Sequence, residues 1–168
     1  MLADHRKKSP NKIACKVITV SDTRTSETDK SGKKIKELLT HEGHGCEFYE
    51  IVPDERLLIN NAIQNGLQDP KVEAVIVNGG TGISKRDVTI EVVQALLEKE
   101  LVGFGEIFRY LSYTEDIGSA AILSRATAGT AMGTVVFALP GSTGAVKLAM
   151  ERLILPEIGH IIMELNKH

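Results

Sequence analysis

Asp87 closes the run Asn78-Gly79-Gly80-Thr81-Gly82-Ile83-Ser84-Lys85-Arg86-Asp87, so a glycine loop, a basic pair and a carboxylate share one short stretch. Glycines let backbone N–H groups approach a ligand without interference from a Cβ. The apolar run Val72 to Val77 before the loop and the helical pattern from Ile90 make this a strand, a glycine loop and a helix start. A helix N-terminus adds about half a positive charge to that corner. Lys85 and Arg86 add mobile charge beside it. The implied chemistry is phosphate binding with an acid at hand.

The common glycine motifs do not fit. A Walker A loop counted from Gly79 requires glycine where Ser84 stands, and a dinucleotide fingerprint counted from Gly80 requires a small residue where Lys85 stands. A connecting turn without a ligand is the plain alternative, against which Asp87 counts.

A second corner of the same design lies at Pro140-Gly141-Ser142, where an apolar strand, Thr134 to Leu139, meets a helix bearing Ala145, Val146, Ala149, Leu153 and Ile154. Two further polar strand ends complete the set. Ser21-Asp22 follows the β-branched run Ile13 to Val20, and Asp54, in Pro53-Asp54-Glu55, follows the strand-like Cys46 to Val52. In an open α/β sheet the carboxyl ends of neighbouring strands converge on one crevice. Carboxylates beside a phosphate site make sense when Mg²⁺ lies between them, since that ion takes one or two carboxylates and completes its shell with phosphate oxygens and water. Without an ion the same acids are helix caps, and Asp54 has a cap's position.

The elements that must position these groups follow from the pattern. A polar loop from Ser21 to Lys30 precedes a helix capped by Ser31, with Ile35, Leu38 and Leu39 inward and Gly43 as its stop. A helix after Asp54 turns Leu57, Leu58, Ala62 and Ile63 inward, and another carries Ile90, Val93, Leu96 and Leu97 with Glu91 in its first turn. Gly103 to Arg109 reads as a glycine-bounded entry to a short helix on which Glu106 and Arg109 can pair. Ala120 to Ala131 and Thr134 to Leu139 read as two strands joined at Met132-Gly133, and Pro156 as a break before a last helix, Glu157 to Leu165. The expected fold is α/β in three layers: a mostly parallel sheet flanked by helices, with a β-hairpin.

At 168 residues, 42% hydrophobic and 25% charged, the chain is expected to form a single domain, with residues 1–12 loose. A net charge of −2 and an absence of tryptophan exclude the electrostatic footprint and stacking platforms of general nucleic-acid binders, and Arg6-Lys7-Lys8 reads as a solvated arm. No stretch has the length of a transmembrane helix and the start lacks a signal-peptide core, so the expectation is a cytoplasmic protein without membrane contact. Cys15 and Cys46 read as reduced packing residues, and the scattered histidines, including His5, His41, His44, His160 and His168, form no zinc spacing.

The run Val75 to Thr89, together with Val17 to Asp22, Val52 to Glu55, Gly103 to Glu106, Ala121 to Arg125 and Leu139 to Ser142, resembles the MoaB/MogA family of molybdenum cofactor biosynthesis. The likeness extends from about Lys12 to Ile158. The Pro-Gly-Ser-Thr turn and the Phe-Arg-Tyr-Leu-Ser stretch look more like its MoaB branch; Asn78, where many relatives carry Thr or Ser, departs from it.

The resemblance implies a compact α/β fold that assembles as a trimer or hexamer and binds molybdopterin. It further implies adenylation of the terminal phosphate of molybdopterin by Mg-ATP with release of pyrophosphate, or, as the alternative, binding of the pterin or a nucleotide without catalysis. The family's essential aspartates map onto Asp54 and Asp87, as catalytic and magnesium-holding residues. Its glycine loop maps onto Gly79, Gly80, Thr81 and Gly82, and its pterin turn onto Gly141 and Ser142, with Ser21 and Asp22 at the same crevice. Other enzymes of the cofactor pathway are the implied protein partners.

Overall fold

The computed structural model describes residues 1–4 and 9–167. His5, the basic run Arg6-Lys7-Lys8 and His168 lie outside the described residues.

Among the described residues six strands form one sheet in the order β2-β1-β3-β6-β5-β4. The strands are β1 (Ala14–Val20), β2 (Gly45–Val52), β3 (Ala74–Asn78), β4 (Lys99–Glu100), β5 (Thr127–Ala131) and β6 (Thr134–Leu139). β1 pairs in parallel with both β2 and β3, and β3 in parallel with β6, while β5 runs antiparallel between β6 and the short edge strand β4. The chain therefore leaves β1 toward β2 on one side and reaches β3 on the other, the strand-order reversal at which such sheets open a crevice.

The central strands are apolar on both faces because helices cover both. On one face Ile13, Cys15, Val17 and Ile76 pack with Ile35 and Leu39 of α1 (Lys30–His41), Phe108 of α4 (Val102–Glu115) and the helices after β6. Those are α5 (Thr143–Ala149) and α6 (Leu155–Leu165). On the other face Ile18, Val20, Val75 and Val77 pack with Ile59, Ala62 and Ile63 of α2 (Arg56–Gln68) and Ile90 and Val93 of α3 (Thr89–Leu96). This is the expected three-layer α/β fold with its hairpin. The hairpin turn, Met132-Gly133, has φ of +52° and +74°, values that match the right-handed twist of the strands it joins. Cys15 and Cys46 are free, and burial pushes the Cys15 thiol up to about 12, as befits a packing residue.

Several expectations are corrected. The segment after α4 is not a strand from Ala120 but a 3-10 turn over Gly118–Leu123, with Ile122 exposed, and β5 begins only at Thr127. α4 is not short; it takes both Gly103 and Gly105 into its 14 residues. A Cβ on Gly105 would lie 2.7 Å from the Ala126 carbonyl, and Arg109 uses that close approach to donate to Ala126 at 3.0 Å instead of pairing with Glu106. Leu57 and Leu58 face outward while Ile59 points in, because α2 starts one residue after Glu55 and its phase follows. Pro156 breaks nothing: it sits in the first turn of α6, directly after a π turn over Met150–Ile154, and the backbone stays helical through both. Asp29, not Ser31, caps α1, its carboxylate accepting from the Gly32 amide at 3.0 Å.

Candidate functional site

The carboxyl ends of β1, β2, β3 and β6 border a cleft of about 510 Å³ whose wall includes Ser21, Asp54, Gly79 to Gly82, Asp87, Gly141 and Ser142. The stretches singled out in sequence thus meet in space.

The glycine loop is glycine by necessity. Gly79 has φ +96°, and a Cβ there would lie 2.2 Å from the Val20 carbonyl oxygen of the adjacent strand. Gly80 has φ +67°, and its Cβ would collide with Thr89 Oγ1. At Gly82 an added Cβ would stand 2.7 Å from Asp87 Oδ2, so absence of a side chain is what lets Asp87 fold back over the loop. Ser84 fixes that carboxylate, donating from its amide at 3.0 Å and from its hydroxyl at 2.6 Å to Oδ2. Among the described residues no donor reaches Oδ1.

Asp54 is not the cap of α2. Glu55 holds that position in an extended conformation with no side-chain cap bond. The Asp54 amide donates to Asp22 Oδ1 at 3.0 Å, and its carboxylate accepts no hydrogen bond among the described residues. Burial, and the negative charges of Asp22 and Asp87, raise its pKa above the ordinary carboxylate value. An unpartnered acid beside a second acid is a place that a cation would relieve.

Asp22 does not line the cleft. Arg86 grips it with Nε and Nη2, at 3.0 and 2.8 Å, and these bonds with the Asp54 amide hold its carboxyl below the ordinary range. The expectation of mobile charge from Lys85 and Arg86 is corrected by this pair: Arg86 is committed to Asp22, and neither cation faces the cleft. Asp22 instead ties the end of β1, the turn bearing Asp54 and the segment before α3 together. Ser21 accepts from the amides of Thr23 and Arg24 at 3.2 and 3.1 Å, and Ser142 caps α5 by accepting from Ala145 at 3.2 Å.

Two arginines to which the sequence assigned no role support the site. Arg125 lies behind the glycine loop, its guanidinium donating to the carbonyls of Gly82 and Thr81 and pairing with Glu91. Arg24 lines the cleft, donating to Ser31 Oγ at 2.6 Å and to the Gly141 carbonyl at 2.8 Å. Arg24 sits in a loop that reads only as polar. Among the described residues no group of three or more metal-binding side chains gathers, so any ion here rests on two acids and its ligand.

Comparison with known proteins places the chain in a family. The family model described as "Probable molybdopterin binding domain" matches residues 16–160. Molybdenum cofactor biosynthesis protein B of Bacillus subtilis is 57% identical over 98% of this chain and 96% of its own. A crystal structure of a molybdenum cofactor biosynthesis protein B superposes with a TM-score of 0.93 at 57% identity, covering 96% of this chain and all of that one. The tungsten cofactor synthesizing protein MoaB from Pyrococcus furiosus gives 0.83 at 41% identity, covering 93% and 98% of the two chains. With the match spanning most of the sequence and its fold, the chain belongs to the MoaB/MogA family of molybdenum cofactor biosynthesis proteins.

Proposed function

We propose that this protein serves molybdenum cofactor biosynthesis by adenylating the terminal phosphate of molybdopterin with Mg-ATP. The carrying observation is that Asp54 and Asp87 share one cleft wall with an open oxygen on each, and no protein cation bonds to either carboxylate among the described residues, so that Asp54 stays raised despite the Arg86 charge nearby. Asp54 and Oδ1 of Asp87 would hold Mg²⁺, which when bound neutralises charge on the nucleotide phosphates. The Gly79 amide is taken by the Leu139 carbonyl at 3.0 Å, so the amides of Gly80, Thr81 and Gly82 would be the donors for phosphoryl oxygens, with glycine on either side of Thr81 limiting Cβ obstruction, and Arg125 holds the carbonyls of Thr81 and Gly82.

The reaction asks no covalent chemistry of the protein. An oxygen of the pterin's terminal phosphate forms a bond to the α-phosphorus, the bond from that phosphorus to the bridging oxygen breaks, and pyrophosphate leaves with the electron pair. A phosphate monoester is already an anion at neutral pH, so positioning and electrostatics supply the rate. The relatives' names support the pathway, and the two acids support catalysis over simple binding.

The same reading has the chain working as a trimer or hexamer: Ile107, Tyr110 and Tyr113 of α4 are about half exposed or more, and Ile122 is 82% exposed, a large apolar surface for one copy to leave in water.

The test is to incubate the protein with molybdopterin, ATP and Mg²⁺ and look for adenylyl-molybdopterin by mass spectrometry, with pyrophosphate as second readout. Magnesium-dependent product is expected. Tight pterin binding without product, with ATP and GTP both tried, would make the protein a carrier.

A further inference from the structure

The charges of the cleft are divided. Of the described residues on its wall three are acids, Asp54, Asp87 and Asp116, and one, Arg24, is a cation. Asp54 and Asp87 suit a phosphate that arrives with its own metal ion; a bare phosphate is repelled there and needs a positive charge elsewhere. Arg24 is the one on offer.

The structure invests heavily in that guanidinium. The Ser21 hydroxyl holds its backbone, Ser31 and the Gly141 carbonyl hold its terminal nitrogens, and Asp29 lies 3.6 Å from Nη1. Asp29 is completely buried, and burial works against its charge, yet hydrogen bonds led by those from Thr19, Tyr49 and the Gly32 amide keep its carboxyl below the ordinary range. Asn78 extends the network, accepting from Ser31 at 2.7 Å and donating to Thr19 at 3.0 Å. A buried charge with this many supports is costly to assemble for packing alone. Arg24 itself stays about a third exposed, and its Nε–H has no acceptor among the described residues. A Cβ at Gly141 would reach within 3.5 Å of both terminal nitrogens, so glycine there keeps the guanidinium uncovered.

We propose that Arg24 anchors a metal-free phosphate monoester, the attacking phosphate of the pterin substrate, and that Asp29 is the positioning residue that aims it. This rests on the function proposed above. A guanidinium grips phosphate oxygens through paired N–H donors, which a lysine cannot reproduce.

The experiment measures molybdopterin affinity in chelator-containing buffer and Mg-ATP affinity separately, for the parent, Arg24→Gln, Arg24→Lys and Asp29→Asn. Arg24→Gln is expected to weaken molybdopterin about 30-fold, and Arg24→Lys about 10-fold, with Mg-ATP unchanged. Asp29→Asn is expected to share that selectivity, which a merely structural role would not produce. Unchanged molybdopterin affinity in Arg24→Gln, or equal loss of both ligands, overturns the proposal. If Arg24→Gln unfolds, Arg24→Lys decides by the same selectivity. A parent that binds no molybdopterin sinks the function proposed above, not this one; phenyl phosphate then replaces the pterin, and binding by the parent that Arg24→Lys weakens supports the anchor, while equal binding overturns it.

Discussion

Arg125 and Gly82 meet through two bonds on one oxygen: Nε and Nη2 of the arginine donate to the glycine carbonyl at 3.0 and 2.7 Å. The same side chain pairs with Glu91 in the first turn of α3, so one residue from the segment before β5 locks the glycine loop to the helix that follows it. Arg125→Ala is expected to cost about 2 kcal/mol in chemical denaturation, the scale of a few hydrogen bonds to a charged donor. Adenylation should fall further than that, by about 100-fold, because the loop loses its alignment. Arg125→Lys should recover little, since a lysine cannot reach the loop carbonyls and Glu91 together.

Gly79→Ala tests the loop's backbone. Both its φ of +96° and a Cβ 2.2 Å from the Val20 carbonyl oppose a side chain, so a loss of about 3 kcal/mol or more is expected in urea unfolding. Gly43→Ala is the control: φ is +82° but open space surrounds the added methyl, and a loss near 1 kcal/mol is expected. Equal losses at both positions would mean that the contact with β1 is relieved by a small shift.

What sequence could reveal divides along physical lines. Val17 to Val20, Val75 to Val77 and Val135 to Leu139 were legible as central strands because both faces of each are covered, which writes a continuous apolar run. The glycine loop and the two turns at Asp54 and Ser142 were legible because backbone geometry restricts which residues serve there. Arg24 and Arg125 were not, because their roles depend on partners far along the chain, Gly141 and Gly82, that no local pattern announces. Nor was Asp29, whose burial arises only when α1 docks on β1 and β2. Ala120 to Leu123 misled because a short apolar run reads as a strand even where, as here, only Ala121 is buried and Ile122 and Leu123 are left exposed on a 3-10 turn.

The apolar outer face of α4 predicts self-association. Tyr110→Glu combined with Ile107→Lys is expected to shift the protein toward monomer in analytical ultracentrifugation while leaving the far-UV spectrum unchanged, because both side chains are exposed and Phe108 and Leu111 keep the inner face. A parent that sediments as a monomer would remove the oligomer from the proposed function.

Asp87→Asn should keep the bonds from Ser84, since an amide oxygen still accepts them, and so keep the fold. Loss of turnover by about 100-fold or more is expected with unfolding unchanged, because the charge facing the nucleotide is gone. Unaltered turnover would remove Asp87 from the reaction.

Asp54 makes the sharper case, because its fold and its function pull in opposite directions. Burial and the charges of Asp22 and Asp87 raise its pKa in the folded protein. A raised value means the folded state prefers the protonated acid: the group favours folding below the ordinary carboxylate range, near pH 4, and loses that contribution as pH climbs through the raised value. At neutral pH the ionised carboxylate is therefore a liability that the fold tolerates. Asp54→Asn removes it, so the variant is expected to be at least as stable as the parent at pH 7, with the difference closing as pH falls toward 4. Turnover should nonetheless drop by about 100-fold or more, for want of the charge that holds the nucleotide's cation. Denaturation at the two pH values and one activity assay decide the matter. A variant less stable than the parent at pH 7 would show that the carboxylate serves the fold, and that the repulsion at this corner is met by something other than a bound cation.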